Sequence, residues 1–114
     1  MDNRPIGIMD SGVGGLTVAG VLKEKYPNEK FIFIGDTARN PYGNKSPEEI
    51  TFFAEEMKAF LGGKRVKMII AACNTITFSV PPSFFAGKIP VIGMSLDFPE
   101  LESVNHLAVI GTPM

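Results

Sequence analysis

Cys73 is the only cysteine among 114 residues. It ends the run Met68-Ile69-Ile70-Ala71-Ala72-Cys73, and Asn74 and Thr75 follow. The thiolate is the reactive form of cysteine. A thiol at the carboxyl end of a strand sits where open α/β sheets bind ligands. A helix starting at Asn74 would favour the thiolate through its macrodipole. Asn74 and Thr75 would add side-chain donors beside the first free backbone N–H groups, an arrangement suited to a carboxylate held next to a basic sulfur. A free cysteine is also among the most buried residue types and often inert, so Cys73 taken alone carries no chemistry.

The second candidate is Asp10-Ser11-Gly12-Val13-Gly14-Gly15, which follows another apolar run and opens a helix. Backbone N–H groups at such a turn can hold an anion. No Gly-Lys-Ser/Thr follows, so it is not a Walker A loop. Thr17 stands at the third glycine position of the dinucleotide fingerprint. A tight strand-to-helix turn needing glycine is the simpler reading. A carboxylate at Asp10 disfavours phosphate and suits an ammonium group.

These residues need a scaffold that brings strand ends together. Arg4 to Asp10 reads as a first strand and Leu16 to Tyr26 as a helix, with Leu16, Val18, Ala19 and Leu22 on its apolar side. Phe31 to Ile34 is a continuous apolar run, typical of a strand buried on both faces. A long loop, Gly35 to Lys45, carries Asp36, Thr37 and Pro41-Tyr42-Gly43. Ser46, Pro47 and Glu49 form a capping box that starts a helix. Ile50, Phe53, Ala54, Met57 and Leu61 continue it at helical spacing until Gly62-Gly63.

Val66 to Ala72 reads as a third strand, Asn74 to Val80 as a helix stopped by Pro81-Pro82, and Pro90 to Met94 as a fourth strand. A turn or short helix from Leu96 to Asn105 and a fifth strand, Leu107 to Gly111, complete the reading. The alternation predicts an α/β fold: an open, doubly wound, mostly parallel sheet with helices on both faces, lacking its last elements. In such a sheet Asp10, Ser11, Asp36, Thr37, Cys73, Asn74, Thr75, Ser95 and Thr112 would converge on one edge.

Composition narrows the classes. The formal net charge is −1, with basic residues scattered among acids, so nothing points to nucleic acid. Lys64-Arg65-Val66-Lys67 is the one basic cluster and reads as a solvated connection. No apolar run approaches the roughly 20 residues of a membrane span. The N-terminus lacks a signal-peptide core. A single cysteine excludes an internal disulfide and fits a reducing cytoplasm. The only histidine, His106, precedes a strand start at the edge opposite Cys73 and reads as a surface residue.

Five segments taken together carry a resemblance: I-G-I-M-D-S-G-V-G-G-L-T-V (6–18), I-G-D-T-A-R-N-P-Y-G-N-K-S (34–46), A-C-N-T (72–75), P-V-I-G-M (90–94) and V-I-G-T (109–112). In this order they resemble the N-terminal half of the glutamate racemases, in the aspartate/glutamate racemase superfamily. The resemblance implies cofactor-independent, metal-free interconversion of L- and D-glutamate, supplying D-glutamate for peptidoglycan. Two cysteines flank the substrate α-carbon in that family, and Cys73 matches the first. By the same carry-over, Asp10 and Ser11 contact the ammonium group and assist the thiol. Pro41, Tyr42 and Gly43 lie along the substrate side chain, and Asn74 and Thr75 hold a carboxylate.

The family's second domain, with its second cysteine, has no counterpart in these residues. Residues 1–114 therefore read as one N-terminal domain that needs a partner thiol to be active. Pro81-Pro82 and Phe84-Phe85 interrupt a segment that is usually a regular helix in the family, and these bulky residues are expected to be exposed. The face that a second domain would cover is also expected to be open, favouring homo-oligomers.

Overall fold

The computed structural model describes residues 2–94. In chain order these form β1 (Ile6–Asp10), α1 (Leu16–Lys25), β2 (Phe31–Gly35), α2 (Pro47–Gly63), β3 (Met68–Ala71), α3 (Asn74–Ser79) and β4 (Val91–Ile92). Single 3-10 turns stand at Tyr42–Asn44 and Pro82–Phe84. All pairings are parallel and the order is β2-β1-β3-β4. This is the open parallel α/β sheet expected from the alternation. The expected fifth strand, the Leu96–Asn105 segment, Ser95, His106 and Thr112 lie outside the described residues.

Helices cover both faces, as strand periodicity shows. Gly7 faces α2, because a Cβ there would lie 2.9 Å from a Leu61 methyl group. Asp10 lies on the other face, where a Cβ on Gly15, at the start of α1, would meet Asp10, Phe33 and Ala72. The α2 face holds the continuous core. Met9, Ile69, Ala71 and Val91 pack with Ile50, Ala54, Met57, Leu61, Ile76 and Phe84. The capping box forms as the residue types require: Ser46 Oγ accepts the Glu49 N–H at 3.1 Å, and Glu49 Oε1 accepts the Ser46 N–H at 3.0 Å.

The α1 face is less well covered. No α1 residue is buried, and Leu16 is 53% exposed although its spacing placed it on the apolar side. Every residue of β2 is only half-buried, where the apolar run pointed to burial on both faces. The physical reason is topological: among the described residues β2 is an edge strand, with no strand beyond it to flank its side chains. The aromatic pair goes the other way. Phe84 is buried, not exposed as expected, and Phe85 is half-buried in an edge-to-face pair with it at 5.7 Å. Lys58 secures the turn by donating from Nζ to the Phe84 carbonyl at 2.9 Å. Pro81 and Pro82 are exposed and end α3 after six residues.

The basic cluster is the connection it was read to be. Arg65 adopts φ 59° just past α2, and Lys67 Nζ pairs with Glu29 Oε2 at 2.7 Å.

Gly35 ends β2 against the glycine-rich turn, and a Cβ there would stand 2.1 Å from the Gly12 carbonyl oxygen. Backbone cannot yield as a side chain can. Gly35→Ala is therefore expected to lower stability by about 1–3 kcal/mol in urea denaturation, the usual scale of overpacking.

Candidate active-site cleft

The ladder aligns three strand ends. The Asp36 N–H donates to the Asp10 carbonyl at 3.0 Å, and the Ala72 N–H donates to the Met9 carbonyl at 2.8 Å. Asp10, Asp36 and Cys73 thereby leave the sheet side by side. An open cleft of about 420 Å³ lies above this edge, walled by Asp10 to Gly14, Asn40 and Ala72 to Thr75. Of the residues singled out in the sequence, Asp10, Ser11, Cys73, Asn74 and Thr75 meet there.

Cys73 is free and buried, with extended backbone (φ −141°, ψ 123°) immediately before α3. Its thiol donates to Ser11 Oγ at 3.4 Å. Its carbonyl is doubly held, accepting the Thr77 N–H at 3.0 Å and Thr77 Oγ1 at 2.8 Å. The anion held by the glycine-rich turn is the chain's own. Asp10 is buried, and its carboxylate accepts the Ser11 N–H at 2.8 Å and the Gly15 N–H at 2.6 Å. That is the tight-turn reading made specific, with the acid closing the turn.

The loop after β2 is organised around Asp36, which is buried. The Tyr42 hydroxyl and Arg39 Nε both donate to Asp36 Oδ2, the latter at 2.6 Å. Arg39 also reaches Glu56 of α2, and its guanidinium lies 4.0 Å over the Phe53 ring. The Glu56 carboxylate, ahead of Asp36, holds Arg39 protonated above the ordinary guanidinium range. Burial, followed by its bond to Asp36, pushes the Tyr42 phenol well above an ordinary tyrosine.

Tyr42 is a buried residue whose ring sits tilted against Phe53, centroids 5.5 Å apart, with its hydroxyl turned to Asp36. Pro41, Tyr42 and Gly43 do not line the cleft in this structure, whereas Asn40, joined to Pro41 by a cis peptide bond, does. Asn40, Arg39 and Glu56 were not picked out from sequence. Their residue types and spacing carried no signal, since the network joins a loop to a helix 17 residues away.

Among the described residues, no cluster of three or more His, Cys, Asp and Glu is placed to hold a metal ion. Among them, too, no helix is long and apolar enough to cross a membrane.

Comparison with known proteins identifies the scaffold. No family model matches the chain. It is 50% identical over 99 residues to a glutamate racemase of Lactococcus lactis subsp. cremoris, covering 87% of this chain and 34% of that protein. It is 45% identical to a glutamate racemase of Streptococcus pneumoniae across the whole chain, which spans 45% of that relative. The chain belongs to the glutamate racemase family. It matches the N-terminal portion of those proteins and spans between about a third and a half of their length.

Glutamate racemase from Francisella tularensis, solved with D-glutamate, superposes with a TM-score of 0.76 at 48% identity, over 82% of this chain and 36% of that one. The Thermus thermophilus enzyme, solved with β-chloro-D-alanine, gives 0.76 at 44% identity, over 80% and 36% of the two chains.

Two measurements test this geometry. Asp10→Ala leaves two turn N–H groups without their charged acceptor and is expected to cost roughly 1–3 kcal/mol of stability in chemical denaturation. Tyr42 is raised from an ordinary value of 10.0, so the folded chain keeps a proton that the unfolded chain releases. That stability is present below pH 10 and is lost as the pH rises above it. Denaturation midpoints should fall between pH 9 and about 11, and Tyr42→Phe should flatten that fall.

Proposed function

We propose that this chain is the Cys73-bearing part of a glutamate racemase active site. The observation that carries the reading is the Cys73–Ser11 contact at 3.4 Å, in a cleft shared with Asp10, Asn74 and Thr75. It occurs in a chain half-identical to glutamate racemases. In this reading the Cys73 thiolate takes the α-proton of glutamate, and the electron pair left on the α-carbon delocalises into the adjacent carboxylate. Asn74 and Thr75 hold that carboxylate, and Asp10 and Ser11 face the ammonium group and the sulfur. Pro41, Tyr42 and Gly43, which the family resemblance puts along the substrate side chain, stand behind the cleft wall here, and their loop reaches the cleft through Asn40. The chemistry needs no cofactor, because a proton is the only thing moved.

Inversion requires a second acid on the opposite face, and these 114 residues hold one cysteine. Residues 1–114 act in this reading as the N-terminal α/β domain of a two-domain enzyme. The second thiol belongs to the length of the relatives that this chain does not span. The chain by itself is expected not to racemise. The cellular role is supply of D-glutamate for peptidoglycan in the cytoplasm. Exposed Leu16, Val21 and Ile92 support self-association as a homo-oligomer.

A second reading is a non-catalytic amino-acid-binding module. It draws on the presence of Asp10, Ser11, Asn74 and Thr75 together in the cleft.

One experiment separates the two. The chain is incubated in deuterium oxide with L- or D-glutamate, and α-deuteration is followed by NMR. Exchange into one enantiomer, reduced on the order of a hundredfold or more in Cys73→Ala, is the expected result for a working proton-transfer site. Saturable glutamate binding with no exchange supports the binding module. Neither binding nor exchange overturns both.

A further inference from the structure

We propose that Asp36 is a positioning residue of the cleft: its buried carboxylate takes the Tyr42 phenol and the Arg39 guanidinium together and so fixes the intervening loop as one wall of the site. The ligand-dependent part rests on the racemase reading above.

The geometry is over-determined from both ends. On the sheet side, the Asp36 N–H is tied to the Asp10 carbonyl, so the carboxylate starts one residue from the strand end that carries the turn of the cleft. On the loop side, Arg39 and Tyr42 flank Asn40 and Pro41, and both donate to the same oxygen, Asp36 Oδ2. Arg39 then crosses to Glu56 and lies over Phe53, while the Tyr42 ring packs on Phe53 from its own side. The segment between these two anchors delivers Asn40 to the cleft, with its amide nitrogen 3.3 Å from where a Gly12 Cβ would stand.

A carboxylate this buried is costly without partners. Removing it would leave the phenol and the guanidinium without their shared acceptor. Asp36 meets the strand end of Asp10 only through its backbone N–H, so its carboxylate acts on the site through loop position.

The test uses the full chain with Asp36→Ala and Asp36→Asn. In Asp36→Ala, the backbone amide resonances of Gly12, Asn40 and Gly43 should move while those of Leu61 and Gly62, at the far end of α2, stay. Glutamate affinity should weaken, and α-deuteration should slow on the order of tenfold to a hundredfold, the scale an ångström-size misplacement costs in rate. Asp36→Asn keeps a carbonyl acceptor for the phenol and should restore affinity to within a few-fold of the parent chain. A merely structural carboxylate would not show this rescue.

Should Asp36→Ala fail to fold, Tyr42→Phe removes the hydroxyl alone and should move the same three amides. Unmoved amides at Gly12, Asn40 and Gly43 overturn the proposal, as does an unchanged glutamate affinity with moved amides. A parent chain that binds no glutamate defeats the racemase reading instead, and the amide shifts then decide the positioning claim by themselves.

Discussion

The Asp10 carboxylate accepts two N–H groups of the turn that follows it, and the geometry of the cleft descends from that contact. With the acid folded back onto Ser11 and Gly15, the turn is compact enough for Gly12 to reach the backbone of Gly35. Ser11 is left with its hydroxyl against the Cys73 sulfur. The ladder sets the spacing of the strand ends, and this buried carboxylate shapes the turn that bridges them. It also settles what the glycines do here. They allow backbone to approach backbone, at Gly12 against Gly35, and they clear the space that Asp10, Phe33 and Ala72 occupy beside Gly15.

The legible part of this fold was the part written in local chemistry. Ser46, Pro47 and Glu49 announce the start of α2, and the described structure places each in its expected role. Apolar runs separated by helical patterns announced a parallel sheet, and the sheet is parallel. Burial was less legible, because it depends on strand order. Phe31 to Ile34 reads like a central strand, yet β2 lies at the edge and is half-buried throughout. Phe84 illustrates the converse, since the exposed prolines before it turn the chain so that its ring enters the α2 core.

The same division runs through the cleft. Asp10, Ser11, Cys73, Asn74 and Thr75 were legible because each follows an apolar run, and parallel strands bring such positions to one edge. The Asp36–Arg39–Tyr42–Glu56 network was not, although Asp36 and Tyr42 both stood in noticed segments. Its partners are brought together by the path of a loop over a helix, a relation that no spacing rule encodes. Asn40 entered the cleft wall for the same reason: its position is imposed by its neighbours' side chains.

Helix α2 then serves two ends that would otherwise be separate. Its inward stripe, Ile50, Ala54, Met57 and Leu61, fills the core beneath β1 and β3. Its Phe53 and Glu56 grip the loop that walls the cleft. The well-packed face of the sheet is thus also the face that holds the loop wall of the site, while α1, with no buried residue, contributes through the N–H of its N-cap, Gly15. Coupling of this kind gives the two faces different tolerances. Changes on the exposed side of α1 should leave the cleft as it is, whereas loss of packing under α2 would reach Arg39, Tyr42 and Asn40 before it reached Cys73, which the β1–β3 ladder holds independently through Ala72 and Met9.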